Sequence, residues 1–204
     1  MFLFFYKILE KINSPINGQI TVYTSFGSPK VTIGGLLQSG GIVGDIWKKA
    51  TKKISNPLIS NILIFGLGCG TAAQVFSKKF PKAKIIGVEI DPLVILMGKK
   101  YFGLDKIPNL KIVAADALKY TSYVKFNLII VDIYLGEKIP PIAESLLFLK
   151  NLKNLLAKNG IVIFNRIFWD EHKKEAENFV KKAERVFSKL ELIRTVANLL
   201  VICR

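Results

Sequence analysis

The sequence predicts an α/β fold: a doubly wound, mostly parallel seven-stranded sheet that closes on a C-terminal antiparallel strand pair and is preceded by a small N-terminal β-hairpin. Three observations predict it. From residue 61 onward, short apolar runs alternate with helical stretches. The last two strand-like runs, "LELIRTV" and "NLLVICR", have almost no connection between them. Near the N-terminus, "NGQITVYTSFGSPKVTIGGLLQS" reads as strand, turn and strand. Continuous apolar strands alternating with helices build a parallel sheet covered on both faces. Strands joined by a tight turn can only be antiparallel.

Taken in order, the opening "MFLFFYKILEKI" is apolar but reaches Lys7 early and lacks a small-residue cleavage site. It is expected to be an amphipathic docking helix and not a signal peptide. Ile20, Val22 and Tyr23 precede the turn "FGSP", and Val31 and Ile33 follow it, which is a hairpin pattern. "GGIVGDIWKKATKKI" then reads as a short amphipathic helix carrying Trp47. The repeating unit follows. "NILIFG" is a strand and "TAAQVFSKKF" a helix; "AKIIGVEI" is a strand and "DPLVILMGKKYF" a helix. "LKIVAAD" and "FNLIIVDIY" are strands; "IAESLLFLKNLKNLLAKN" is a helix, "GIVIFNRI" a strand, and the segment 171–188 a helix. That last helix has a Lys-rich solvated face and a core side of Phe179, Val180, Ala183 and Phe187. The expected division is an N-terminal unit over residues 1–55 and a ligand-binding domain over 56–204.

The 204 residues suit one domain with a small appendage, and no apolar run approaches the roughly 18 residues that span a bilayer. Cys69 and Cys203 lie far apart without metal-ligand neighbours, so reduced thiols in a cytoplasmic protein are expected. The formal charge of +15 raises a nucleic-acid partner. It is carried by 26 Lys against 4 Arg, spread along the whole chain. Base and phosphate recognition favours the planar fork of Arg, so nucleic acid is kept as a lesser alternative to a small-molecule acceptor.

The chemistry concentrates at "IFGLGCGTAAQVF". In open parallel sheets, ligands lie outside the carboxyl ends of the strands, where strand order reverses. Gly66, Gly68 and Gly70 follow the first strand of the unit, and without Cβ atoms they let the main chain touch a ligand. The bland alternative is a tight strand-to-helix turn with Thr71 as N-cap. Read from Gly68, "GCGTAA" also fits a nicotinamide dinucleotide fingerprint through Gly68, Gly70 and Ala73. Glu89 ends the second strand, where a carboxylate takes two ribose hydroxyls. Asp116 follows the third strand and Asp132 ends the fourth. Such a ring of acids repels a pyrophosphate and suits a ligand bearing a sulfonium, an ammonium and an adenine amino group. Asp91, before Pro92, is a helix cap.

"LIFGLGCGT", "GVEIDP", "VAADA" and "VDIYLGEKIPP", together with the N-terminal hairpin, resemble the spermidine synthase-like branch of the S-adenosylmethionine-dependent methyltransferase superfamily, over residues 17–166. The resemblance implies a Rossmann-like domain. It implies that Gly66, Gly68 and Gly70, with Cys69 between them, cradle the amino-acid end of the cofactor. Glu89, with Ile90 beside it, would bind the ribose, and Asp116 with Ala117 the adenine. Asp132 falls on the catalytic aspartate and Gln38 on a glutamine facing the pocket. Beside Asp132, Tyr134 is expected either to add a catalytic hydroxyl to the same wall or to serve as packing. The cofactor is S-adenosylmethionine or its decarboxylated form, and the hairpin's exposed edge points to a homodimer.

Three departures set this chain apart. The second aspartate of the aminopropyltransferases is Leu135 here, the aspartate of their glycine loop is Cys69, and residues 11–44 contain no acid. A polycation has little to hold it in a pocket without carboxylates. Methyl transfer to an unknown acceptor is therefore the main expectation, with aminopropyl transfer in polyamine biosynthesis as its alternative. A non-catalytic binding module on the same fold is a further alternative. Pro140 and Pro141 come too late for the Asp-Pro-Pro turn of base methylation. His172, the only histidine, lies in a charged helical turn and reads as surface.

Overall fold

A computed structural model describes residues 6–54, 58–136, 138–170 and 172–204. Two sheets divide the chain. The first is a four-stranded antiparallel meander in the order β1-β2-β3-β4: β1 (Tyr6–Ser14), β2 (Gly18–Ser25), β3 (Ser28–Ile33) and β4 (Leu36–Ser39). The expected hairpin is its central pair. The amphipathic helix expected at the N-terminus is corrected: Tyr6–Ser14 is a strand, paired with β2 from Tyr6↔Ser25 to Ser14↔Gly18. The turn between them, Pro15 to Asn17, carries proline and Asn-Gly chemistry that reverses the chain. Cross-strand pairing thus overrides the local helical pattern. Residues 1–5 of that expectation, the proposed boundary between residues 55 and 56, and the first residue of the expected helix 171–188 lie outside the described residues.

After α1 (Ile42–Lys52) the second sheet begins, with the order β10-β11-β9-β8-β5-β6-β7. Its strands are β5 (Asn61–Phe65), β6 (Lys84–Glu89), β7 (Leu110–Ala114), β8 (Phe126–Val131), β9 (Leu156–Ile167), β10 (Leu190–Arg194) and β11 (Asn198–Cys203). β5 pairs in parallel with both β6 and β8, so strand order reverses at β5. β11 runs antiparallel between β9 and β10, as the short final connection requires. Helices α2 (Thr71–Lys79), α3 (Pro92–Phe102), α4 (Leu146–Leu155) and α5 (His172–Glu184) complete the fold.

Strand alternation sorts the core into two layers. Ile62, Ile64, Leu128, Ile130 and Ile163 meet Trp47 of α1 and Ala73 and Phe76 of α2. Leu63, Ile129, Val162 and Phe164 meet Phe148 and Leu152 of α4 and Phe179 of α5. Successive residues of one strand serve opposite faces, which is why these strands read as unbroken apolar runs. The helix expected through Asn159 stops at Leu155. Asn159 takes a left-handed φ of 60°, and a Cβ at Gly160 would lie 2.9 Å from the carbonyl oxygens of Ala157 and Phe126. "KNG" is therefore a kink within β9 and not a helix end. Among the described residues, no helix is long and apolar enough to cross a membrane.

The N-terminal sheet covers the glycine turn. Ile20, Val22, Val31 and Ile33 pack with Val94 and Met97 of α3 and with Cys69. Full burial of each such side chain stabilises by roughly 1.5–3 kcal/mol. Asp91, wholly buried, pins the contact. Its Oδ1 accepts from the Leu93 amide at 2.9 Å, capping α3, and its Oδ2 accepts from Ser14 Oγ at 2.5 Å and Asn17 Nδ2 at 2.8 Å. The cap was legible from Asp-Pro; the tether to a turn more than 70 residues away was not.

Candidate functional site

β5 ends where the chain must turn abruptly into α2. The amides of Gly66 and Leu67 both donate to the Val88 carbonyl at 3.0 Å, and Gly66 holds a φ of +78°. A Cβ there would sit 2.1 Å from the carbonyl oxygen of Asp132. Gly70 holds a φ of +93°, and its Cβ would sit 2.4 Å from Leu104. Gly68 differs: the nearest atom to its missing Cβ is Ser39 Oγ at 3.6 Å. Two of the three glycines are thus required by the protein's own packing, whereas a Cβ at Gly68 would meet nothing closer than Ser39 Oγ. Gly66 and Gly68 line a cleft; Gly70, expected there, does not line it and instead caps α2 beneath Leu104. Thr71 is not the side-chain cap of α2: its Oγ1 accepts from the Gly40 amide at 3.1 Å, binding α2 to the end of β4.

The cleft collects the expected acids. Glu89 from the end of β6, Asp116 after β7 and Asp132 after β8 all line it, with Ile90, Ala117, Tyr134, Gln38 and Cys69. Glu89 is buried, and its oxygens accept from the Gly68 amide at 2.8 Å and the Asp91 amide at 3.1 Å. Burial pushes its carboxyl above the usual range, while these amide hydrogen bonds pull the other way. Asp116 accepts from the Leu118 amide at 2.9 Å, so it caps a single 3₁₀ turn while facing the cleft. Burial raises the Cys69 thiol to about 12, and Sγ points at the Val94 carbonyl 3.7 Å away. A thiol in that state is no nucleophile.

Asp132 is the pivot. Its carboxyl is pushed up to about 7, chiefly by burial, with the charge of Glu89 adding to the rise and the amide of Asn165 opposing it. Asn165 Nδ2 donates to Asp132 Oδ1 at 2.8 Å, and Asn165 Oδ1 accepts from Asn198 Nδ2 at 3.0 Å. The Tyr134 hydroxyl donates to the Asn165 carbonyl and accepts from the Ile167 amide, each at 3.1 Å. Burial raises its pKa further. Tyr134 therefore ties the segment after β8 to β9 through its hydroxyl, whose one proton goes to the Asn165 carbonyl. Gln38 reaches across from β4 and donates to the Gly136 carbonyl at 3.2 Å, holding the same segment from the other side.

Sequence reasoning missed Asn165 and Asn198. A signal existed: Asn165 is the one uncharged polar side chain in "GIVIFNRI", inside a central strand. A buried amide is kept only where it is hydrogen-bonded. It also missed Asn17, Val43 and Trp47, which close the cleft from the N-terminal sheet and α1.

Comparison with known proteins gives a consistent picture. A family model described as a methyltransferase domain matches residues 60–198. A polyamine aminopropyltransferase of Vibrio vulnificus is 31% identical over 115 residues, covering 54% of this chain. The match spans only 38% of that relative's length. The solved spermidine synthase of Thermotoga maritima superposes with a TM-score of 0.81 at 16% identity, over 97% of this chain and 72% of that one. Human methyltransferase-like protein 13 in complex with SAH superposes with a TM-score of 0.69 at 21% identity, over 81% of this chain and 82% of that one. Both superpositions bear on the fold, the first including the N-terminal sheet.

Proposed function

The chain belongs to the family described as a methyltransferase domain, and from that premise we propose that it is an S-adenosylmethionine-dependent transferase of the spermidine synthase-like kind, moving a methyl group to a small-molecule acceptor. One observation carries the reading. Glu89, Asp116 and Asp132, from three strand tips, face one cleft that Gly68 lines without a side chain. Such a site suits a permanent cation and disfavours a pyrophosphate, so the residues present fit the cofactor.

When bound, the cofactor supplies a sulfonium whose methyl carbon is electrophilic. The chain's residues have the remaining tasks. Gly68 and the first turn of α2 would hold the amino-acid end, Glu89 the ribose hydroxyls, and Asp116 with Ala117 the adenine amino group. Ile90 supplies an apolar wall. Asp132 would orient the acceptor's nucleophile and take up its proton at Oδ2, since Oδ1 is held by Asn165. Tyr134 and Gln38 fix the segment that carries Asp132. Most of the rate then comes from holding donor and acceptor in line.

A second reading, aminopropyl transfer in polyamine metabolism, draws support from the N-terminal sheet shared with spermidine synthase. Leu135, Cys69 and the acid-free stretch 11–44 weigh against it. Our proposal includes a cytoplasmic location, in keeping with the free thiols, and pairing of two copies along the outer edge of β1.

Calorimetric titration with S-adenosylmethionine, its decarboxylated form and NAD tests the proposal. Binding of the first, more tightly than the second and without NAD binding, is expected. Preference for the decarboxylated form would transfer the assignment to aminopropyl transfer. Failure of all three to bind or to raise the melting temperature would leave a non-catalytic module.

A further inference from the structure

A second compartment opens beside the cofactor cleft and shares Gln38, Val43, Asp132 and Tyr134 with it. Its walls come from two sources. Leu37 of β4 and Ile42 and Ile46 of α1 form one side; Ile167, the last residue of β9, and Trp169 just beyond it form the other. Its inner end is the amide chain Asn198–Asn165–Asp132. Among the described residues that line it, Asp132 is the one charged group. Asn165 is committed on both sides, donating to Asp132 Oδ1 and accepting from Asn198, so its amide is fixed and Oδ2 of Asp132 is the acceptor left for a ligand.

Resting on the transferase reading above, we infer that this compartment is the acceptor site and that its substrate is a molecule with an apolar body and a single amine or hydroxyl, not a polycation. The nucleophilic group meets Asp132 Oδ2, and the apolar body lies along Ile42, Ile46 and Trp169. A single ammonium at the inner end finds a carboxylate. Among the described lining residues, a second ammonium further along the body faces isoleucine, leucine and indole, with no carboxylate to replace its water. Apolar walls with one convergent polar end are the usual build of a small-molecule site. Trp169 is 36% exposed and Ile42 44% exposed, so the wall is open at the mouth, where an acceptor would cover it.

A matched pair of probes tests this. The full chain is saturated with S-adenosylhomocysteine, its binding measured first by calorimetry. It is then titrated with n-hexylamine and with hexane-1,6-diamine, which differ by one terminal ammonium. Tryptophan fluorescence reports occupancy; Trp47 is the chain's other tryptophan, and loss of the signal in Trp169→Phe assigns it. Hexylamine is expected to bind at least tenfold more tightly than the diamine. Ile42→Glu places an acid on an exposed position at the start of α1, where negative charge suits the helix. It is expected to reduce that preference at least threefold. Equal or tighter diamine binding, no response to hexylamine, or an unchanged ratio in Ile42→Glu overturns the inference. Absence of S-adenosylhomocysteine binding would instead refute the transferase reading on which it rests.

Discussion

The half of the cleft beside β6 and β7 and the half beside β9 hold their polar groups in opposite ways. In the first, carboxylates are held by backbone amides: Glu89 by Gly68 and Asp91, Asp116 by Leu118. In the second, side chains hold one another across strands, in the line Asn198–Asn165–Asp132. Amide-held groups are fixed by local chain geometry and tolerate change in distant side chains. A relay of side chains depends on each member, because a buried polar group that loses its partner retains the full cost of its desolvation. On the proposed reading, the first half suits a constant ligand and the second sets the state of one reacting group.

The largest effect expected from this contrast is at Asp132. Replacement by Asn keeps the shape and the contact with Asn165 but removes the proton acceptor. Transfer measured in a single turnover is expected to fall by about 10²–10⁴-fold. Affinity for S-adenosylhomocysteine, which lacks the sulfonium charge, should change little. Unaltered transfer would show that positioning alone drives the reaction.

Next come the glycines, which separate packing from ligand contact. Gly66→Ala forces a methyl onto the Asp132 carbonyl, 2.1 Å away, at a φ of +78°. Overpacking and left-handed strain together should lower stability by about 2–5 kcal/mol, or roughly 4–20 °C in melting temperature at about 2–4 °C per kcal/mol. Gly68→Ala meets only Ser39 Oγ at 3.6 Å. It should cost about 1–2 kcal/mol from its φ alone while weakening cofactor binding. Equal losses of stability in the two variants would erase the distinction.

That pair of glycines also marks what the sequence could convey. The alternation from residue 61, the final hairpin, the glycine turn and all three strand-tip acids were legible, because period and end-of-strand position are local properties. That Gly66 answers to Asp132 and Gly70 to Leu104 was not, since those contacts arise only when β5 and β8, or α2 and the turn after α3, are side by side. The segment that begins at Tyr6 is a strand and not the expected helix for the same reason: its partner β2 decides its conformation. Asn165 stood out as a polar residue in an apolar strand, but its partners Asp132 and Asn198 lie 33 residues away on either side.

A smaller effect separates the halves by pH. Asp132 is raised to about 7 in the folded chain, against about 3.9 when unfolded. Between those values the folded state holds a proton that the unfolded state has lost, so this group's contribution to stability declines as pH rises from about 4 to 7. Cofactor binding has the opposite slope, because a cation favours the ionised carboxylate. Affinity for S-adenosylmethionine should rise by up to about tenfold between pH 6 and 8 and flatten in Asp132→Asn. Calorimetry at the two pH values, compared between the two proteins, decides it; a parallel slope in both would assign the titration to Glu89 instead.

The smallest expected change tests whether Tyr134 belongs to the chemistry or to the frame. Its hydroxyl gives its one proton to the Asn165 carbonyl and accepts from the Ile167 amide, both on the main chain of β9. Tyr134→Phe leaves the Ile167 amide without its acceptor, at a cost of about 1–3 kcal/mol. Because β9 carries Asn165, the tilt of Asp132 loosens with it, and transfer should slow by only a fewfold. The pH profile distinguishes the roles. A positioning residue leaves the midpoint near that of Asp132, whereas an acid or base that reacts directly would take one limb of the profile with it when removed. Loss of a limb in Tyr134→Phe would return this tyrosine to the catalytic set and weaken the view that Asp132 alone handles the proton.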